Sequence, residues 1–323
     1  MTALIGAPLA AFLITSLVLL ILLSPIVRHR LLDRPNARSL HTVPVPRTGG
    51  IAVMAGVLVT LANTGAPLLL WAGALVLAVL SLIDDWRTLP SSLRLVVHLL
   101  VTLLFARLCL SGYGWVAVVF AALGIAWMAN LYNFMDGADG LAGGMTVVGF
   151  STFALAAAIA GDFVMASLCL TVGLAGFAFL LRNFPPASIF MGDAGSLPLG
   201  FMAGAIGLGG WYDGLWPLWF PWVVFAPFTA DASVTLLRRA LRRERIWQAH
   251  RSHYYQRLIL SGWSHRRTAL AEFGLMVGTA GLALACLGRP GPLQVVLLGA
   301  GAVVYAYLMF MVDKRAPRNA EPR

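Results

Sequence analysis

GWVAVVFAALGIAWMANLYNFMDGADGLAGGMTVVGFSTFALAAAIA, residues 114–160, decides the fold. Two apolar runs, 114–131 and 142–160, flank a polar break, Asn133-Phe-Met-Asp136-Gly-Ala-Asp139-Gly140. Each run approaches the ~20 residues that cross about 30 Å of hydrocarbon. Carboxylates so close to lipid are costly and persist mainly where they do chemistry or meet water. The pattern recurs twice: Asp84-Asp85 closes the run 66–83, and Phe190-Met-Gly-Asp193-Ala-Gly-Ser196 precedes the run 197–211.

The bulk numbers agree. Of 323 residues 59% are hydrophobic and only 11% charged, with mean hydropathy +0.83, against about 25% charged in a soluble domain. Further apolar runs lie near 7–27, 49–65, 93–110, 164–181, 216–237, 268–288 and 291–312, eleven in all. The expected fold is therefore all-α: one polytopic membrane domain over residues 1–323. The run Ala7 to Val27 reads as a retained span, because no basic residue precedes it and no small-residue cleavage site follows before Arg28. Cys109, Cys169 and Cys286 fall inside apolar runs and read as packing residues. Trp115, Trp211, Tyr212, Trp216 and Trp222 suit an aromatic belt at the outer interface.

Charge orients the bundle. With eleven spans and the amino terminus outside, segments 28–48, 84–92, 132–141, 182–196, 238–267 and 313–323 face the cytoplasm, the carboxyl terminus included. All but Arg107 and Arg289 of the 23 Lys and Arg then lie on the inner side, as the positive-inside rule requires. The net charge of +10 follows from topology and attraction to anionic headgroups, and no soluble basic module points to nucleic acid. A multi-pass membrane location with a cytoplasmic site is the expectation.

In that orientation Asp84, Asp85, Asp136, Asp139 and Asp193 share one face. Clustered carboxylates without cysteine favour a hard cation, and Mg²⁺ is the usual one beside phosphates. Asp136 and Asp139 share a helical face if their turn is helical. Asp193 precedes a helix whose first amides can receive anionic oxygens. Arginines surround the acids, in Asp33-Arg-Pro-Asn-Ala-Arg38-Ser-Leu-His41, in Pro46-Arg47-Thr48-Gly49-Gly50, and from Arg238 to Arg257. Guanidinium groups suit bidentate phosphate contacts. Acids and arginines together suggest phosphoryl transfer or pyrophosphate handling.

Plainer readings compete. Arg238 to Arg245 reads as a positive-inside anchor rather than a substrate clamp. His250-Arg251-Ser-His253 has a spacing seen in zinc sites, but no third ligand accompanies it, which leaves a phosphate or sugar contact. His29 and His98 read as interfacial packing. Asp231 lies inside the run 216–237, roughly 10 Å from Arg238, where an acid faces the site or pairs with an inner arginine.

These motifs, in this order, resemble the polyprenyl-phosphate N-acetylhexosamine-1-phosphate transferases, which include the enzyme making the first lipid intermediate of peptidoglycan. The resemblance rests on Asp33 to Gly50, Asp84-Asp85, Asn130 to Leu141, Phe190 to Ser196, Asp231 before Arg238-Arg239, and His250 to Arg257. It implies a ten- or eleven-span enzyme of a bacterial inner membrane that transfers an aminosugar 1-phosphate from a UDP-sugar to undecaprenyl phosphate, releasing UMP, with Mg²⁺ or in its place Mn²⁺. It also implies that Asp193 is the principal metal ligand, with Asp84 and Asp85 as the acidic pair beside it, one of them a base towards the lipid phosphate and Asp84 the one favoured. Asn133, Asp136 and Asp139 match nucleotide-binding and site-organising positions. The last inner loop lacks the consecutive histidines and following acid of the peptidoglycan member. UDP-GlcNAc, or a derivative such as UDP-FucNAc or UDP-QuiNAc, therefore fits better than UDP-MurNAc-pentapeptide, the alternative. A transporter, the rival class, would more often show two-fold internal repeats and midplane charges on broken helices.

Overall fold

The computed structural model describes residues 2–28, 32–33, 44–87, 89–245, 248 and 250–316. The segment 34–41, part of the first arginine-rich motif, lies outside them.

Helices dominate. They are α1 (Thr2–Leu22), α2 (Pro25–Arg28), α3 (Gly49–Ala62), α4 (Leu68–Arg87), α5 (Ser91–Cys109), α6 (Trp115–Phe134) and α7 (Leu141–Ile159). There follow α8 (Phe163–Asn183), α9 (Asp193–Tyr212), α10 (Phe220–Val224), α11 (Ala226–Leu241), α12 (Tyr254–Leu260), α13 (His265–Cys286) and α14 (Gly291–Arg315). Two two-residue strands, β1 (Leu32–Asp33) and β2 (Val45–Pro46), pair antiparallel with Leu32 opposite Pro46.

Eight helices among the described residues, α1, α4 to α8, α13 and α14, are long and apolar enough to cross a membrane. Their lipid-facing character shows in exposed Leu13, Leu17, Leu100, Val295 and Val303, which water would not tolerate as a continuous surface. The other three expected spans differ in kind. α3 has 14 residues, which at 1.5 Å each rise about 21 Å. α9 carries Asp193 and Pro198 within its 20 residues.

The run 216–237 is not one helix but breaks at Phe225 into α10 and α11. Pro227, at the start of α11, has no N–H with which to continue the ladder from α10. Trp216 departs from the belt expectation: it is 3% exposed, stacked on Phe153 at 5.0 Å, and donates from Nε1 to Gly207 O. Its indole is a core group with its one donor satisfied.

α9 is the most enclosed element, with α4, α5, α6 and α7 packed around it. Its first residue is Asp193. The core of the bundle thus positions the third acid-bearing break.

Candidate active site

Two of the acid-bearing breaks, 133–140 and 190–196, close on each other and on residues 46–50. Residues 46–50 run beside 190–191: Phe190 N–H donates to Pro46 O, and the N–H groups of Gly49 and Gly50 donate to Phe190 O and Met191 O, each at 2.8 Å. At Gly50 the backbones of α3 and α9 abut, since a β-carbon there would lie 2.3 Å from Gly195 N. This contact brings Arg47 to the start of α9, where its guanidinium donates to Asp193 Oδ1 at 2.5 Å. The Thr48 hydroxyl beside it is shielded from solvent and has no hydrogen-bond partner among the described residues.

The break 133–140 docks on the same helix start. Gly192 N–H donates to Asp136 Oδ2 at 3.0 Å, and Ser196 Oγ donates to Asn133 Oδ1 at 3.0 Å. Asp139 turns elsewhere: it accepts from Ala187 N–H at 3.1 Å, and its Oδ1 lies 3.2 Å from His265 Nδ1. The shared helical face expected for Asp136 and Asp139 is absent. Residues 135–140 form a non-helical turn, with Gly140 at φ +82°, so the two carboxylates diverge. Burial pushes the Asp136 carboxyl up to about 7; Arg47 and the Gly192 N–H pull it down, while the Asp193 charge adds to the rise.

The acidic pair ends α4. Asp84 accepts from Leu89 N–H at 2.7 Å and from Arg94 Nη1 at 2.6 Å. Asp85 is exposed. One turn beyond Arg94, His98 is 7% exposed, buried among the helices as its packing reading expects.

The last motif joins from the other side. α12 begins after His253, and its Tyr255 hydroxyl donates to Phe134 O at 3.1 Å, directly over Gly137, where a β-carbon would collide with it. The His253 ring stacks on Phe134 with centroids 6.1 Å apart and lies 4.8 Å from His250. Asp231 is 3% exposed and faces His253, not an arginine. His250 is held down near 3 by burial first, then by His253 and Arg239, with Asp231 opposing. It is therefore neutral at physiological pH. Arg251 is half-buried.

Several arginines of the last inner loop are already engaged within the protein, in keeping with the anchor reading of Arg238 to Arg245. Arg238 and Arg257 both pair with Asp313, at 2.6 and 2.7 Å. Arg238 also donates to the Tyr254 hydroxyl, and Arg257 to Ala316 O. Arg239 lies 3.3 Å from Glu244. Arg47 is engaged too, by Asp193 at the start of α9. Sequence reading missed Arg94, Tyr255, His265 and Asp313. Arg94 carried a usable signal, being the first cation on the helix after the acidic pair.

The donors suit a hard cation. Asp193 already holds a cationic group, the guanidinium of Arg47, and Mg²⁺ takes one or two protein carboxylates beside substrate phosphates and water. Among the described residues no three His, Cys, Asp or Glu side chains form a protein-only cage.

The family model for glycosyl transferase family 4 matches residues 67–210, a stretch holding Asp84, Asp85, Asn133, Asp136, Asp139 and Asp193. The chain is 31% identical over 285 residues to a Bacillus subtilis protein named a probable undecaprenyl-phosphate N-acetylglucosaminyl 1-phosphate transferase, covering 80% of each. It is also similar to phospho-N-acetylmuramoyl-pentapeptide-transferases, at 32% identity from Listeria welshimeri, over 50% of this chain and 49% of the relative. The Staphylococcus aureus counterpart is 31% identical, over 51% of each. With its acid-bearing breaks inside the matched stretch and one relative similar along four-fifths of its length, the chain belongs to glycosyl transferase family 4, the polyprenyl-phosphate N-acetylhexosamine-1-phosphate transferases that its motifs resemble.

Proposed function

We propose that this protein transfers an N-acetylaminosugar 1-phosphate from a UDP-sugar to undecaprenyl phosphate, releasing UMP, as the first membrane step of cell-surface polysaccharide synthesis. The observation that carries the reading is the convergence of Arg47, Asp136 and Asp193 at the start of α9, at one end of an apolar bundle. UDP-GlcNAc is the favoured donor. The B. subtilis relative, named for an N-acetylglucosaminyl transfer, is similar over 80% of this chain, whereas the pentapeptide transferases are similar over half. The site faces the cytoplasm in the orientation that the arginine asymmetry supports: eleven spans, amino terminus outside, in a bacterial inner membrane.

The acceptor is an ionised phosphate monoester near neutral pH, its second pKa being about 6. One of its oxygens bonds to the β-phosphorus as the bond to the bridging oxygen breaks, and UMP leaves with that electron pair. Asp193, with Asp85 nearest in kind, would hold Mg²⁺, which when bound draws charge from the pyrophosphate. Arg47 neutralises charge on the donor phosphates. The positive end of the α9 dipole adds to the attraction for their oxygens. Asp84, held by Arg94 and Leu89, shapes the acidic loop, and in this reading Asp85, exposed beside it, is the carboxylate that meets the acceptor.

The test is UMP release from a panel of UDP-sugars with undecaprenyl phosphate and Mg²⁺. Turnover with UDP-GlcNAc or a deoxy derivative supports the reading, and turnover with UDP-MurNAc-pentapeptide alone would replace it with the peptidoglycan reaction.

A further inference from the structure

Asp231 is a carboxylate buried within α11 on which four donor groups converge. Its Oδ1 accepts from Tyr254 N–H at 2.9 Å and from the Thr235 hydroxyl at 3.2 Å, and meets His253 Nδ1 at 3.2 Å. Its Oδ2 accepts from Tyr255 N–H at 3.1 Å. Backbone N–H groups are obligate donors, and an ionised carboxylate only accepts. The ring nitrogen facing it must therefore carry the hydrogen. That puts Nδ1–H towards Asp231, and in the neutral form of the ring the lone pair then lies on Nε2.

Packing holds the ring in place as firmly as the hydrogen bond does. His253 is 3% exposed, stacked between Phe134 at 6.1 Å and Tyr255 at 6.0 Å. Phe134 is the last residue of α6, two before Asp136, so the ring stands at the edge of the acid-lined cleft. We infer that Asp231 is a positioning residue for the transfer reaction, fixing His253 so that Nε2 accepts a hydrogen bond from the aminosugar, from a hydroxyl or from the N-acetyl N–H. The competing account is a plain cap: Tyr254 and Tyr255 open α12, and a carboxylate on their amides would stabilise that helix with no consequence for the ring.

The two accounts separate in the full-length protein in detergent micelles or nanodiscs. ¹⁵N-histidine NMR reports the tautomer directly, and His253→Gln assigns the signal by its disappearance. The wild type should show Nδ1–H with bare Nε2, and Asp231→Asn should shift His253 towards a tautomer mixture. An Nε2–H tautomer in the wild type overturns the inference even if Asp231→Asn fails to fold. So does a spectrum that Asp231→Asn leaves unchanged. The kinetic arm rests on the transferase reading. Asp231→Asn should lower kcat about ten- to a hundredfold, the range for groups that orient a reactive side chain, with little change in KM for the lipid. The Asp231→Asn/His253→Gln double variant should be no worse than the poorer single one, because the residues act as a unit. Additive losses would return Asp231 to the role of a cap. Absence of any turnover by the wild type would refute the proposed function while leaving the tautomer result to decide the positioning.

Discussion

Gly50→Ala tests whether the contact between the starts of α3 and α9 builds the site. The new methyl would sit 2.3 Å from Gly195 N, 2.5 Å from Gly195 Cα and 2.9 Å from Met191 O. All three are backbone atoms and cannot rotate away. Ordinary contact begins at 3.4 Å, so the two helix starts must separate by about 1 Å. Overpacking of this kind costs typically 1–3 kcal/mol. The larger effect falls on chemistry, because Arg47 and Asp193 ride on the separating segments and a 1 Å misplacement costs about a hundredfold in rate. Thermal unfolding in micelles reads the first quantity, and UMP release at saturating UDP-sugar reads the second. Gly209→Ala is the control: it lies on α9 with nothing within 4 Å of its β-position and should move neither quantity beyond the ~1 kcal/mol of helix propensity. Gly50→Ala with an unchanged unfolding midpoint and activity within about twofold of wild type would refute the contact as the organiser of the cleft.

Asp193→Asn should abolish Mn²⁺ binding followed by electron paramagnetic resonance, and with it metal-dependent turnover, while the protein still inserts; retained binding would move the metal to Asp84-Asp85. Arg94→Ala and Asp84→Asn should lower stability by about 1–3 kcal/mol each, as expected for breaking a hydrogen bond to a charged group, with Asp85→Asn taking the larger loss of kcat. The reverse ranking would restore Asp84 as the acceptor-facing group. Asp136 titrates higher in the fold than its ordinary value of 3.8, near 7. Its contribution to stability is therefore full below about pH 4 and lost as pH rises through 7. With chelator present, Asp136→Asn should flatten the decline of the unfolding midpoint between these values, and an unaltered slope would refute the shift.

Much of the architecture was legible because apolar runs and polar breaks are local properties. The helix boundaries of α5, α6, α7 and α14 fall within a few residues of the runs read from composition. Hydropathy could not reveal the break at Phe225, since both halves are equally apolar and only Pro221 and Pro227 hint at it. The acids were legible singly but not in their partnerships. Asp136 and Asp139 look like a helical pair until Gly140 bends the turn and sends one to α9 and the other to Ala187 and His265. Clustered arginines look like phosphate ligands until Asp313, dozens of residues away, claims two of them. Such pairings depend on long-range packing that spacing does not encode.

That double claim by Asp313 makes the last helix a remote component of the cleft. α14 buries none of its residues, yet Asp313 and the carbonyl of Ala316 satisfy Arg257, which is 4% exposed. Truncation before Asp313 would strip a buried cation of its counter-charge, a change that costs on the order of 3–5 kcal/mol, and Arg257 lies four residues from His253. A purification tag appended beyond residue 316 keeps Asp313 and the Ala316 carbonyl in the chain. One that replaces the final turn of α14 would instead remove both partners of that buried guanidinium, four residues from His253.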